Sequence, residues 1–303
     1  MSQSPETLAA IAAMATIPAL AGAGLPVRLG GLTNLVFRVG DHCMRLPGKG
    51  TEDYIDRANE AVAARAAAAA LVGPEVVHAD PATGLMVTRF IAGAATMSPA
   101  AFKARAGSPA RAGAAFARLH GSGAVFPFRF ELFAMIDDYL GLLAGKDVAL
   151  PEGYHDVVAE AGTVRAALAA RLLPLAPCHC DPLCENFLDT GARMWIVDWE
   201  YSGMNDPMWD LGDLSVEAGF DAAEEEEMLT AYFSGQARPV DRGRMVIYKA
   251  MCDLLWTLWG LIQLANNNQA DDFRAYADGR FARCKALMAT PEFARHVQVV
   301  ARG

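Results

Sequence analysis

Four polar residues close together in the chain pose the chemical question. His179, Asp181 and Asn186 follow the pattern His-x-Asp-x4-Asn, and Asp198 ends the apolar run Trp195-Ile196-Val197. An Asp and an Asn on one loop, facing a second Asp beyond a hairpin, supply oxygen ligands of the kind Mg²⁺ takes. They also leave a carboxylate to accept a hydroxyl proton. Phosphoryl transfer uses this layout, because its catalysis is mostly positioning and charge neutralisation. The sequence carries no G-x4-G-K-[ST] loop, no G-x-G-x-x-G between strand and helix and no G-x-S-x-G elbow. P-loop, dinucleotide and serine-hydrolase readings therefore lose their main support.

The charge pattern agrees with a cationic partner. The 303 residues hold 26 basic and 35 acidic side chains, a formal charge of −9, which excludes a protein built to grip nucleic-acid phosphates. With 53% hydrophobic and 20% charged residues, the chain has ample material for a core. Residues 181–227 contain 14 carboxylates against the single base Arg193. The run Glu224, Glu225, Glu226 and Glu227 reads as solvated surface.

Residues 8–27 are uncharged, but they consist mostly of Ala, Gly, Thr and Pro and no Lys or Arg precedes them. This predicts a short helix from Ser4-Pro5 and a turn around 18–24 rather than a signal or membrane span. The apolar stretch 246–265 contains Lys249 and Asp253 and reads as a core helix. A cytoplasmic location with reduced cysteines follows as the expectation. Cys178, His179, Cys180 and Cys184 invite a zinc hypothesis, but one compact run with no second half matches structural zinc sites weakly. Cys43, Cys252 and Cys284 read as small core residues.

The elements that must position these groups fall into two sets. Residues 1–92 show strand-like runs at 35–39 and 43–46, after a glycine-bearing turn at 30–34. An Ala-rich helix over 54–71 ends at Gly73-Pro74, and two more strand-like runs cover 76–79 and 85–90. Beyond residue 93 the pattern turns helical, at 99–120, 131–143, 154–173, 222–233, 242–264 and 271–288, with one hairpin at 186–188 and 194–197. The expected fold is α+β: an N-terminal lobe (1–92) with a small antiparallel sheet and one main helix, and a larger, mostly helical C-terminal lobe (93–303).

With those residues in view, the sequence resembles the choline/ethanolamine kinases, in the aminoglycoside-phosphotransferase-like branch of the protein-kinase-like fold. The likeness rests on the H-x-D-x4-N-x-L loop from His179 and on Ile196-Val197-Asp198-Trp199-Glu200-Tyr201. It continues through Asn205-Asp206-Pro207, Trp209-Asp210-Leu211-Gly212-Asp213 and Glu217, then resumes at Trp256-x-x-Trp259 and Tyr276-Ala277-x-x-Arg280-Phe281. The resemblance implies ATP and Mg²⁺ as cofactors, Asp181 as base, Asn186 and Asp198 as metal ligands, and His179 as the residue that orders the loop. It implies Thr33 and Asn34 over the nucleotide phosphates, Arg45 in place of the usual strand lysine with Glu60 as its ion-pair partner, and backbone groups of Arg89, Phe90 and Ile91 for adenine. Arginine keeps its charge and offers forked donors, so it can serve phosphates in lysine's stead. One departure is Cys180-Asp181-Pro182, where many relatives carry Asn-Asp-Leu.

Trp256 and Trp259 share a helix face, which by itself means core packing. The resemblance makes them walls of a pocket for a quaternary ammonium, with Tyr201 and Tyr276 closing it and Glu217 as counter-charge. Such a cation has no N–H to donate and is recognised by π faces and a nearby carboxylate. Asp253 reads equally as a surface residue or as part of that field, and Asp210 as structural. The expectation is an ATP-dependent kinase for the hydroxyl of choline or ethanolamine. Thiamine-like or aminoglycoside acceptors, or a non-catalytic pseudokinase, are the alternatives. No A-P-E-type segment follows Asp198, so a small acceptor is favoured over a protein.

Overall fold

The structure is a computed structural model describing residues 4–30, 34–48 and 55–303. Helix α1 (Pro5–Met14) begins where Ser4 caps it, the Ser4 hydroxyl accepting from the Thr7 amide at 3.2 Å. Strands β1 (Val27–Gly30), β2 (Leu35–Val39) and β3 (His42–Leu46) form a meander. After α2 (Arg57–Ala69), the hairpin β4 (Val76–Asp80) and β5 (Leu85–Arg89) completes an antiparallel sheet of order β1-β2-β3-β5-β4. Phe37, Met44 and Val87 are register partners, so they form one buried row across the sheet. Ile17 and Leu20 pack on that row. Side chains alternate along a strand, so Arg45, beside Met44, projects from the other face, toward α2.

Helix α2 starts at Arg57, with the Asp56 carboxylate accepting from the amides of Ala58 and Asn59 at 2.9 and 3.1 Å. The expected start at Tyr54 lies outside the described residues. Ala63, Ala64 and Ala67 of α2 bury themselves in the same core as the helices that follow, so this helix touches both parts of the molecule.

The larger part comprises β6 (Ala95–Thr96), α3 (Pro99–Ala104), α4 (Ser108–His120), α5 (Leu132–Leu143), α6 (Tyr154–Ala170), β7 (Ala176–Cys178), β8 (Phe187–Asp189) and β9 (Met194–Ile196). It continues with β10 (Gly203–Asn205), α7 (Met208–Ala218), α8 (Ala222–Phe233), α9 (Pro239–Ala265), α10 (Phe273–Met288) and α11 (Pro291–Arg302). The α+β expectation holds, with local corrections. The helix expected over 99–120 is two helices, separated at Gly107, whose φ of +75° suits glycine. That break lets Arg105 and Arg111 both reach the buried Asp189 at the end of β8, at 2.7 and 2.6 Å.

Helices α7 and α11 lie outside the helices predicted from the pattern. In α7, Asp and Gly lower the intrinsic helix preference, yet Trp209, Leu211 and Leu214 are fully buried and packing decides. Strands β6, β7 and β10 span only two or three residues, too few to show a period. Helix α9 is long and apolar enough to cross a membrane by composition, but 83% of its apolar window is buried in the protein, in keeping with a core helix.

Candidate active site

Strand β7 pairs with β10, Cys178 opposite Gly203, and delivers His179, Cys180 and Asp181 to the cleft. Cys180 has a φ of +68°, a region asparagine enters more readily than cysteine. Helix α7 holds it there. Asp210 accepts from the His179 amide at 2.7 Å and the Cys180 amide at 2.8 Å, and the Trp209 indole N–H donates to the Cys180 carbonyl at 3.1 Å. His120 Nε2 lies 3.0 Å from the same Asp210 carboxylate, and its Nδ1 lies 2.9 Å from the Tyr232 hydroxyl. Asp210 is thus the structural anchor of the loop. His179 donates from Nε2 to the Val197 carbonyl at 2.9 Å, tying the loop to the segment that carries Asp198. Burial holds the His179 ring below its usual pKa, so it is neutral.

Asn186 donates its amide to the Asp181 carbonyl at 3.0 Å, and its own carbonyl accepts from the Val197 amide at 2.9 Å. With its N–H2 turned to the loop, the Asn186 side chain keeps its oxygen as the group to offer a cation. Asp198 also sits at positive φ, +66°, with its side chain 32% exposed. Arg45 Nη1 lies 3.1 Å from Asp198 Oδ1 and forms an ion pair with Glu60. Arg57 Nη1 joins Glu60 at 2.9 Å and Glu200 at 3.0 Å. The expected Arg45–Glu60 pair is therefore one edge of a larger network.

This region is short of positive charge. Burial, then repulsion from Asp213, Asp198, Glu217 and Glu200, pushes the Asp181 carboxyl well above the usual carboxylate range. Burial also raises Asp198, although Arg45 opposes it, and Glu200 is pushed up to about 7 by burial and Asp198. Ligand oxygens of Glu60, Asp198 and Glu200 lie within 4.8 Å of one another. Crowded hard-oxygen donors fit a divalent cation such as Mg²⁺. The three clustered thiols are not grouped with one another in this way, although Cys178 lies within 4.8 Å of ligand atoms of His120 and Asp210. Cys178 and Cys180 donate to the carbonyls of Asn205 and Gly203, and burial raises Cys178, Cys180 and Cys184 alike.

On the nucleotide side, Thr33 lies outside the described residues. Asn34 is buried and bridges the sheet to the cleft floor, donating to Glu200 at 3.2 Å and accepting from the Gly48 amide at 3.3 Å. The amides of Arg89 and Phe90 donate within the sheet, to the carbonyls of Glu75 and Asp41, both at 2.9 Å. Of the backbone groups expected to meet adenine, these two donors are already used. The Arg89 side chain is exposed beside Glu75, and Arg38 stacks 4.2 Å from the Phe90 ring.

The aromatic residues from three separate segments do meet. Tyr201 and Trp256 stand edge to face at 5.6 Å, and the Trp259 indole N–H donates to the Tyr201 hydroxyl at 3.0 Å. Trp259 lies 5.7 Å from the rings of both Tyr276 and Phe273. Phe273 is a member that the sequence pattern did not single out. Two acidic residues have partners within the chain that the sequence did not show. Glu217 is ion-paired with Arg280, whose guanidinium also lies 4.6 Å from the Tyr276 ring centre. Its charge is therefore answered within the chain. Asp253 is buried, not on the surface, and accepts from Arg280 at 3.1 Å and Arg283 at 2.6 Å.

Residues 25–248 match the sequence model of the phosphotransferase enzyme family. The crystal structure of a choline/ethanolamine kinase family protein from Mesorhizobium loti is 74% identical, with a TM-score of 0.92, over 98% of this chain and 100% of that one. This chain belongs to the choline/ethanolamine kinase family. The structure of choline kinase LicA from Streptococcus pneumoniae is 26% identical, with a TM-score of 0.78, over 93% of this chain and 99% of that one. A structure of LicA in complex with AMP is also 26% identical, with a TM-score of 0.72, over 88% and 91%.

As a member of the choline/ethanolamine kinase family, the chain is a phosphotransferase acting on an alcohol group, and its α+β architecture is the protein-kinase-like fold. Three residues of the site were not legible as such in the sequence. Arg57 had a signal, since it stands one turn from Glu60 on the same helix face. Asp213 and Arg280 had none beyond position within the resembling segments, because their partners come from other helices.

Proposed function

We propose that this kinase transfers the γ-phosphoryl group of ATP to the hydroxyl of choline or ethanolamine, with Mg²⁺ as cofactor. One observation carries the reading: Tyr201, Trp256, Trp259 and Tyr276, from three separate segments, form one aromatic cluster. Converging aromatic faces suit an alcohol that carries a fixed positive charge.

Asp181 orients the acceptor hydroxyl and takes its proton. His179 and Asp210 fix the loop so that the Asp181 carboxylate does not need to reorganise. Asn186 and Asp198 would hold the metal ion, which supplies charge neutralisation at the phosphates. Arg45, set by Glu60, presents permanent positive charge to the α and β phosphates.

The test is ATP turnover with a panel of acceptors, choline, ethanolamine, thiamine and kanamycin, compared by kcat/KM in wild type and Asp181→Asn. A preference for choline or ethanolamine is expected, with a loss of about 10²- to 10⁴-fold in the variant. Preference for another acceptor, or wild-type rates from Asp181→Asn, would refute the reading.

A further inference from the structure

The chain is acidic overall, yet residues 81–130 hold six bases and no acid. Four of these bases find acidic partners outside that window: Arg89 pairs with Glu75, Arg129 with Glu131, and Arg105 and Arg111 both with Asp189 at the end of β8. Arg118, exposed on α4, forms no ion pair among the described residues. Its place in the last turn of that helix suits the helix dipole, which accounts for one base there. A second base beside it has no such reason. Yet the charge of Arg118 acts on Arg193, the single base of the acidic stretch 181–227.

Arg193 sits at the tip of the β8–β9 hairpin, in a turn that is well held. The Thr190 amide donates to the Arg193 carbonyl at 3.1 Å, the Arg193 amide donates to the Thr190 hydroxyl at 3.2 Å, and the Asp189 carboxylate accepts from the Gly191 amide at 2.9 Å. The Arg193 guanidinium lies 3.9 Å from the centre of the Trp195 ring, which engages its face but none of its N–H groups. Its Nε and Nη2 are buried with no hydrogen-bond partner. These two atoms form the edge with which Arg111 grips Asp189, Nε to Oδ1 at 2.8 Å and Nη2 to Oδ2 at 2.6 Å. Burial, and then the charge of Arg118, lower the pKa of Arg193, and no carboxylate opposes them. The acid nearest in the turn, Asp189, is taken by Arg105 and Arg111. Glu227 stands by Gly107, about 16 Å from Arg118 along α4.

We propose that the tip of the β8–β9 hairpin is an anion site separate from the catalytic cleft, in which Arg193, seated on Trp195, and Arg118 of α4 together bind a phosphate or phosphate monoester dianion. Two neighbouring guanidiniums without a counter-ion repel each other, and orphaned donors are costly. A dianion relieves both, whereas a single carboxylate leaves one charge unanswered. Arg193 is half-buried and Arg118 exposed, so the pair is open to solvent. The hairpin keeps the site apart from the chemistry: Phe187 and Ile196 pair at its base, next to Asn186 and Asp198, and Asp189 and Met194 pair at the tip.

The site does not depend on which alcohol the enzyme phosphorylates. Inorganic phosphate and, separately, glycerol 3-phosphate are titrated calorimetrically into the full chain at low ionic strength, with Mg²⁺ and saturating AMP-PNP present to fill the cleft. Wild type is expected to bind one or both of these anions saturably, and acetate should not compete. Arg118→Gln and Arg193→Gln should each weaken that binding at least about tenfold, while turnover without added phosphate stays close to that of wild type. If Arg193→Gln does not fold, Arg118→Gln decides, because that side chain is exposed: weakened binding supports the site, and undiminished binding overturns it. No saturable binding in wild type, or wild-type affinity in a folded Arg193→Gln, overturns the proposal.

Discussion

Arg45 Nη1 stands 3.1 Å from Asp198 Oδ1, joining the small sheet directly to the residue at the end of the β8–β9 hairpin. The same guanidinium pairs with Glu60 on α2, so one side chain links sheet, helix and cleft floor. Arg45→Met should leave Glu60 buried and short of a partner while removing charge from the phosphate side. We expect kcat/KM for ATP to fall about 10²-fold, with a clear loss of Tm by thermal shift. Unchanged ATP kinetics would show that Arg45 serves the fold alone.

Helix α9 passes α10 so closely at Gly260 that an added Cβ would lie 2.6 Å from Cδ1 of Tyr276. Gly260→Ala must displace that ring. The expected result is a roughly 10- to 100-fold rise in KM for the acceptor, with KM for ATP unaffected. Steady-state kinetics varying each substrate in turn will show it.

His179 gives a pH dependence whose sign is set by burial. Its folded pKa lies below 6.5, so the folded ring resists a proton that the unfolded chain accepts. Above pH 6.5 the group is neutral in both states and contributes no slope. As pH falls below 6.5, stability should decline, by at most about 1.4 kcal/mol per pH unit for this one group. His179→Gln can keep a donor for the Val197 carbonyl but does not titrate, so denaturant melts between pH 7 and 5 should show a shallower slope in the variant.

Asp213 acts with the opposite sign. Its folded pKa is raised, first by burial and then by Glu217. The unfolded chain therefore loses its proton earlier, and stability is given up as pH rises from the ordinary carboxylate range toward the folded value. Asp213→Asn removes that loss. The Tm of the variant relative to wild type should increase between pH 5 and 8. A constant difference across that range would show that Asp213 does not titrate differently on folding.

Much of this arrangement was legible from local pattern. Strands β2 to β5 alternate or carry turn residues at their ends, and α2 announces itself by its alanines, although its start at the Asp56 cap was not read. The spacing of His179, Asp181, Asn186 and Asp198 reflects a loop and a hairpin that follow each other directly, so residues near in sequence are near in space. Helix α7 was not legible, because its order comes from burying Trp209, Leu211 and Leu214 rather than from propensity. The split at Gly107 did carry a local signal, Gly107-Ser108-Pro109, since a proline within a helical pattern marks a new helix start, but the alanine-rich runs on both sides masked it.

The sequence by itself determined the chemistry on offer: a carboxylate base, hard-oxygen ligands, a cluster of aromatic residues and an excess of negative charge between 181 and 227. Which negative charges remain free was decided only by the tertiary structure. Ion pairing is a matter of a few ångströms between atoms on different helices, so Arg280, far from both in the chain, claims Glu217 and Asp253. Composition fixes how much charge a protein carries, and packing fixes where that charge can still act.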